Sequence, residues 1–272
     1  MATILVLCHA HDLFHARHFF VAGLFPYWAE AGHRVIVHEG ARDLPPADVA
    51  ILHVDRTVIP PEYVEALRAY PVVVNGRTLD VSKRRISEHL VGAYDDYDGP
   101  VIVKTNANSG GVPEWLHEQV ARQKGEPPPG PPAKYMTERY RIFDSVKQVP
   151  ARARLSPDLV VEKFLPERDP QGYASRHWIF FGDRERCTRV VGGQPVLKGI
   201  DIVGRTVVPV PDEIRAWRAK LGFDYGKLDF VIHDGRPVLL DANRTPTIPE
   251  RLSPELAKGM ANLAPGIDAF CK

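Results

Sequence analysis

Two short apolar runs, Leu228 to His233 and Pro237 to Asp241, flank the pair Asp234-Gly235. A DG pair between runs of this length constrains the chain to an antiparallel hairpin. Pairing about that turn sets opposite one another residues whose numbers sum to about 469, so Asp229 falls beside Leu240 and Asp241. Asn243, two residues beyond Asp241, faces the same side. Three oxygen-bearing side chains then converge, and hard oxygen donors in this number suit Mg²⁺, which takes one or two carboxylates together with phosphate oxygens. By spacing alone, Asp241 and Asn243 read more simply as a strand end turning at Thr245-Pro246. The choice between these readings rests on what the rest of the chain supplies.

The first 75 residues alternate. Thr3 to Cys8, Arg34 to His38, Val49 to Val54 and Val72 to Val74 read as strands, with helices over Phe19 to Ala31 and from Pro61 to Ala69. This order predicts a small open α/β unit with a mostly parallel sheet. After Asn75-Gly76 the pattern changes: a helix is expected over Ser82 to Leu90, a strand over Pro100 to Lys104, and a helix over Glu114 to Lys124. Glu126-Pro-Pro-Pro-Gly-Pro-Pro132 cannot continue that helix, because proline lacks the N–H and clashes in a helix interior; it reads as a linker or as part of a closing lid. Further strands are expected at Leu159 to Phe164, His177 to Phe181, Thr188 to Val191 and Thr206 to Val210, with a helix over Asp212 to Leu221. The lobes this implies are 1–75, 76–164 and 165–272.

Two upstream segments carry groups of the kind a nucleotide needs. Lys104 ends an apolar strand and is followed by Thr105-Asn-Ala-Asn-Ser-Gly-Gly111, where small residues let backbone N–H groups approach phosphate and the lysine supplies a point charge. A surface lysine before an ordinary turn is an equal reading of that segment alone. Leu159-Val-Val-Glu-Lys-Phe-Leu165 is an apolar strand interrupted by Glu162 and Lys163, with Glu167 and Asp169 just beyond. Such a segment offers an apolar slot for a base and carboxylates for a ribose.

Together these residues resemble the ATP-grasp superfamily, and within it carboxylate-amine ligases such as D-alanine-D-alanine ligase, glutathione synthetase and the RimK-type enzymes, over about Val72 to Pro249. The resemblance implies an N-terminal open α/β (pre-ATP-grasp) lobe, a small central lobe, and a C-terminal lobe with an antiparallel sheet, ATP lying between the last two. It implies that Glu162, Lys163, Phe164 and Leu165 form the adenine hinge, with Glu167 and Asp169 near the ribose. Lys104, with Ser109, Gly110 and Gly111, would lie over the phosphates. Lys83 would be the earlier nucleotide lysine, a role open also to Arg84 or Arg85, and Lys198 a further phosphate contact. Asp229, Asp241 and Asn243 would hold one or two Mg²⁺ ions; many relatives carry glutamate where Asp241 stands. Lys227 and Arg176 would stabilise the transferring phosphoryl group, and Arg244 would reach the acceptor.

The activity implied is ATP-dependent, ADP-forming ligation of a small-molecule or peptide carboxylate to an amine. Catalysis would come from positioning and electrostatics, in keeping with the lack of a convincing Ser/His/Asp or Cys/His arrangement. The alternatives on the same scaffold are a kinase acting on a hydroxyl and a catalytically silent nucleotide-binding module. A homodimer is left open by the resemblance.

Lys+Arg 35 against Asp+Glu 34 leaves a net charge of +1, so no global field draws nucleic acid or anionic lipid. No apolar stretch reaches the roughly 20 residues of a membrane span, and the short apolar start lacks the basic flank of a signal peptide. Cys8, Cys187 and Cys271 are odd in number and far apart, as in a reducing compartment, and the chain reads as cytoplasmic. His9, His11, His15 and His18 follow the first strand, where open α/β sheets put ligands. They read first as solvated or capping side chains, next as substrate contacts through His11, His15 and Arg17, and last as a transition-metal site.

Overall fold

The computed structural model describes residues 1–134 and 140–271. Its first sheet is built from β1 (Thr3–Cys8), β2 (Arg34–Glu39), β3 (Val49–Leu52) and β4 (Val73–Val74), in the order β2-β1-β3-β4 and parallel throughout. Between these strands run α1 (Phe25–Glu30) and α2 (Pro61–Ala66). Period-two alternation divides β1 between two cores: Ile4, Val6 and Cys8 pack on one face with Trp28, Phe181 and Met260, and Leu5 and Leu7 on the other with Tyr63 and Leu67. The helix expected over Phe19 to Ala31 is a 3₁₀ turn, Phe20–Leu24, followed by α1. Pro26 is the reason, since it has no N–H for the carbonyl one turn back and is tolerated only in the first turn of a new helix.

The middle of the chain forms α3 (Lys83–Ile86), β5 (Val101–Thr105), α4 (Val112–Lys124), β6 (Arg141–Phe143), α5 (Ala151–Arg154) and β7 (Leu159–Lys163). Its sheet is antiparallel, in the order β6-β5-β7, over a core of Val101, Val103, Val146 and Val161. The helix expected over Ser82 to Leu90 stops after one turn, because the chain leaves it to lie along β7: the Val91 N–H donates to Val161 O and the Lys163 N–H to His89 O.

The last part comprises β8 (Glu167–Asp169), β9 (Gly172–Phe181), β10 (Arg184–Gly192), β11 (Ile202–Val207), α6 (Asp212–Leu221), β12 (Tyr225–His233), β13 (Arg236–Asn243) and α7 (Pro254–Leu263). Its antiparallel sheet runs β11-β10-β9-β12-β13, with β8 on β9. The helix α7 was not anticipated, although its start carries a recognisable signature: the Ser253 hydroxyl accepts from the Leu256 N–H and Pro254 opens the first turn. As expected, β12 and β13 turn at Asp234 and Gly235, both at positive φ (47° and 79°).

One buried amide joins the first sheet to the last. Asn75, itself left-handed at φ 63°, donates its backbone N–H to the Asp224 carboxylate and its side-chain N–H to Tyr225 O, while its Oδ1 accepts from the N–H groups of Asp224 and Tyr225. Among the described residues no helix is long and apolar enough to cross a membrane.

Candidate active site

The hairpin does more than place its carboxylates near one another. Between Asp229 and Phe230 the register slips: Phe230 faces Leu239, whereas Asp229 faces Asp241 directly, so Leu240 is the extra residue of a bulge. The bulge turns the expected offset into a cross-strand pair of carboxylates, with Lys227 opposite Asn243 and, on the neighbouring strand, His177 opposite Asp229. Like charges set directly opposite are unfavourable, and two lysines offset them. The Lys83 ammonium, carried by the single turn of α3, meets Asp241 Oδ1, and Lys227 Nζ lies 3.0 Å from Asp229 Oδ2. Burial alone would lower both lysines, but Asp241 and Tyr140 raise Lys83 above its ordinary value and Asp229 raises Lys227. Burial would likewise raise Asp229, but Lys227 and His177 hold it below the usual carboxylate range.

Beside this pair lies a narrow cleft of about 170 Å³, lined on one side by Lys83, Lys104, Glu162 and the Lys163 to Glu167 segment and on the other by His177, Asp229, Leu240 and Asp241. Small-molecule sites span about 300–1,000 Å³, so a whole nucleotide requires the cleft to open. Lys104 and Glu162, both buried, pair at 2.6 Å across β5 and β7. The N–H groups of Lys163 and Phe164 are engaged by His89 O and Pro100 O, which fixes the segment and leaves Leu165 as its next donor. The Lys163 side chain points away, over the Tyr97 ring at 4.9 Å.

Several residues named from sequence are committed to other partners or lie outside the cleft. Glu167 and Asp169 are held by arginines: Arg176 and Arg189 bind Glu167, and Arg189 also reaches Asp169 at 2.8 Å. The Ile232 N–H takes a further bond to Glu167. Arg176 therefore braces β8 and does not line the cleft. Lys198 is exposed, just beyond the lining residues Pro195 to Leu197. Arg244 is fully buried and donates to Thr78 O and Arg56 O, each at 2.5 Å, so it ties loops together. Ser109, Gly110 and Gly111 form a left-handed turn (φ 48°, 71°, 80°) outside the cleft, because the Asn108 N–H donates to the Thr57 hydroxyl and Glu114 accepts from the Thr57 N–H. That loop packs on the first sheet's connections.

The cleft also holds residues that sequence reasoning passed over: Tyr140, whose hydroxyl burial pushes upward, Tyr173, and His177, which burial lowers. His177 carried a signal, as the polar residue that opens the apolar run Trp178 to Phe181. Among the N-terminal histidines, His11 Nε2 shares a 2.7 Å bond with Glu126, which latches the start of the proline-rich loop, and His9 stacks on His117. Among the described residues, no cluster of three or more His, Cys, Asp or Glu side chains is arranged to hold a metal. Two carboxylates and an amide do fit Mg²⁺, which draws its other ligands from phosphate and water. Asp229 Oδ1 is buried without a hydrogen-bond partner, a donor atom waiting for a cation.

A parallel sheet followed by two antiparallel sheets that clasp a lysine- and carboxylate-lined cleft is the ATP-grasp fold, and the chain has it along its whole length. No family model matches the sequence, and no curated protein matches it either. Solved structures match throughout. The macrocyclase MdnC of Microcystis aeruginosa, bound with precursor peptide MdnA, superposes with a TM-score of 0.58 at 9% identity, covering 98% of this chain and 99% of that one. A RiPP-associated ATP-grasp ligase of Chryseobacterium gregarium, in complex with ADP and a leader and core peptide, gives 0.56 at 9% identity over 97% and 96%. D-alanine-D-alanine ligase from Bacillus anthracis gives 0.50 at 12% identity over 100% and 96%.

Proposed function

We propose that this protein is an ATP- and magnesium-dependent ligase that activates a small-molecule or peptide carboxylate as an acyl phosphate and joins it to an amine. The observation that carries the proposal is the cross-strand pair Asp229 and Asp241, aligned by a bulge and neutralised by Lys83 and Lys227 beside the hinge cleft. A repulsive pair kept in register is a feature that folding alone does not favour. The fold's solved examples include a ligase in complex with ADP and peptides, which supports the same reading.

On this reading the base enters against Phe164 and Leu165, and the phosphates run toward Lys104, Lys83 and Lys227. Asp229, Asp241 and Asn243 would hold Mg²⁺, which would supply positive charge against that developing on the transferring phosphoryl group. Each lysine exchanges a carboxylate for a phosphate: Lys83 leaves Asp241, Lys227 leaves Asp229 and Lys104 leaves Glu162. Those carboxylates are thereby freed for the metal and the nucleoside. A substrate carboxylate oxygen bonds to the γ-phosphorus as its bond to the bridging oxygen breaks and ADP departs. A neutral amine then adds to the acyl carbon, phosphate leaves with the bonding electrons, and the surplus amine proton passes to solvent. The chain's own contribution is to orient the reactants and stabilise charge, with no side-chain nucleophile.

The test is an assay of magnesium-dependent ADP release over pools of amino acids, small carboxylates and peptides, with product analysis. We expect an amide product, and we expect Asp229→Asn and Asp241→Asn each to lower kcat at least about a hundredfold while the circular dichroism spectrum is kept. Full turnover in both variants would sink the assignment. A phosphorylated hydroxyl would mark a kinase, and nucleotide binding without turnover a silent binding module.

A further inference from the structure

The three residues assigned to the cation are not held in the same way. Asp229 and Asp241 lie within the hairpin, where the ladder of β12 and β13 sets their register. Asn243 is the last residue of β13, and the chain beyond it leaves the sheet. The loops that follow β1 and β3 hold that exit. Arg244 donates to Arg56 O and Thr78 O, and the Thr245 hydroxyl to Asp55 Oδ1 at 2.5 Å. The Phe20 N–H donates to Pro246 O and the Ile248 N–H to His18 O, both at 2.8 Å, and Thr247 forms an isolated antiparallel bridge with Phe19. Every residue from Arg244 to Ile248 is thus tied to a partner far earlier in the chain.

Thr245 is the link that reaches the amide. Its N–H donates to Asn243 Oδ1 at 2.9 Å, and its hydroxyl oxygen lies 3.4 Å from the same atom. A hydroxyl has one hydrogen to give. Asp55 takes it, because a carboxylate accepts more strongly than an amide oxygen and is here the nearer of the two. Asn243 Oδ1 therefore accepts one bond, which fixes the direction of the amide, and keeps its second lone pair for a cation. Asp55 is itself immobilised: it is buried, Arg17 binds its Oδ2, and its own N–H donates to Asp12 Oδ2 at 3.2 Å. A carboxylate buried this deeply is costly unless paired, and one of its two oxygens is spent on Thr245.

Resting on the ligase reading above, we infer that Asp55 and Thr245 are positioning residues of the metal site, through which the loop after β3 sets the Asn243 amide that the hairpin alone leaves free to turn. Neither residue lines the nucleotide cleft. They act on how well the third donor is presented, as the hydrogen-bonded partners of metal ligands do, and loss of such a partner costs about ten- to a hundredfold in metal affinity. The nucleotide's own contacts do not pass through this link: Lys104 and Phe164 belong to β5 and to the hinge after β7. Metal affinity and metal-free nucleotide affinity therefore separate, which a general loosening of the fold would not produce.

Titration of the intact, ADP-saturated protein with Mn²⁺ tests this, the free ion being counted by electron paramagnetic resonance; Mn²⁺ takes the same carboxylate and carbonyl donors as Mg²⁺. Calorimetry in EDTA gives the metal-free ADP affinity. We expect Thr245→Val to weaken Mn²⁺ binding about ten- to a hundredfold with metal-free ADP affinity held within about twofold, and Thr245→Ser to restore it. Asp55→Asn, which keeps the shape of the acceptor and gives up its charge, should weaken Mn²⁺ binding at least about threefold. Adding it to Thr245→Val should cost nothing further, since Asp55 acts through Thr245. Asn75→Ala, which loosens the joint between the first and last sheets away from the amide, should leave Mn²⁺ affinity within about twofold of wild type. Each variant is compared at an unchanged circular dichroism spectrum. Wild-type Mn²⁺ affinity in Thr245→Val or in Asp55→Asn, additive losses in the double variant, or an equal loss in Asn75→Ala would overturn the inference while leaving the ligase reading intact. Absence of Mn²⁺ binding in the ADP-saturated wild type would bring down both.

Discussion

His53 lies fully buried between Phe14, Phe19 and Tyr225, and neither ring nitrogen has a hydrogen-bond partner. Burial pushes it from the ordinary histidine value down to about 3. The unfolded chain therefore takes up a proton near pH 6.5 that the native state refuses, so the contribution is fully present above that pH and is lost as pH falls toward 3. His9, lowered to about 2 mainly by burial, acts in the same direction. Asp12 and His117 do not add to it. Burial raises Asp12 to about 7 and lowers its partner His117 to about 3, so between about pH 4 and 6.5 the pair carries one proton in both states and the opposing slopes cancel. We expect stability from urea unfolding to fall from pH 6.5 to 4, and His53→Phe to reduce that slope by about 1.4 kcal/mol per pH unit. At pH 7 the same variant should be as stable as the parent, since it replaces an unpaired buried polar ring with an apolar one. An unchanged slope would show that His53 titrates normally.

The hairpin β12–β13 sets two effects against each other. The repulsion between Asp229 and Asp241 is a cross-strand term worth at most about 1 kcal/mol. Removing one carboxylate, however, strands a buried lysine, and an uncompensated buried charge costs about 3–5 kcal/mol. The second effect wins, so Asp241→Leu should destabilise the ligand-free protein even though it relieves a repulsion. Adding Lys83→Met should restore most of the loss without restoring activity. Guanidinium denaturation of the two single variants and the double variant measures this coupling, and additive losses would refute it. At the base of the same hairpin, Gly226 (φ 155°) lets the strands close: a Cβ there would stand 2.7 Å from Asn243 O and from the Phe223 ring.

Across the whole molecule the first and last sheets are joined by Asn75, by the shared core of Trp28, Phe181 and Met260, and by the bond from the Trp28 indole N–H to Ala264 O. The Asn75 side chain satisfies three backbone groups that no solvent reaches easily. Asn75→Ala should therefore cost about 2–4 kcal/mol, read as a lower urea midpoint, and a shift under about 0.5 kcal/mol would show the clamp to be dispensable.

What the sequence determined by itself was local. Turn chemistry at Asp234-Gly235, the short apolar runs that become β1 and β12, and proline's exclusion from helix interiors act over a few residues. They sufficed for the open parallel sheet, the hairpin and the grouping of Asp229, Asp241 and Asn243. The tertiary structure decided what depends on partners far along the chain. The bulge at Leu240, the pairing of Lys83 with Asp241, the packing of the Ser109 to Gly111 turn against Thr57, and the withdrawal of Arg176 and Arg244 into internal contacts all arise from such packing. A lysine's or glycine's type says which ligands it suits, but its direction is set by which lobe packs against it. The carboxylate pair of the hairpin was therefore legible as a group, and its face-to-face register was not.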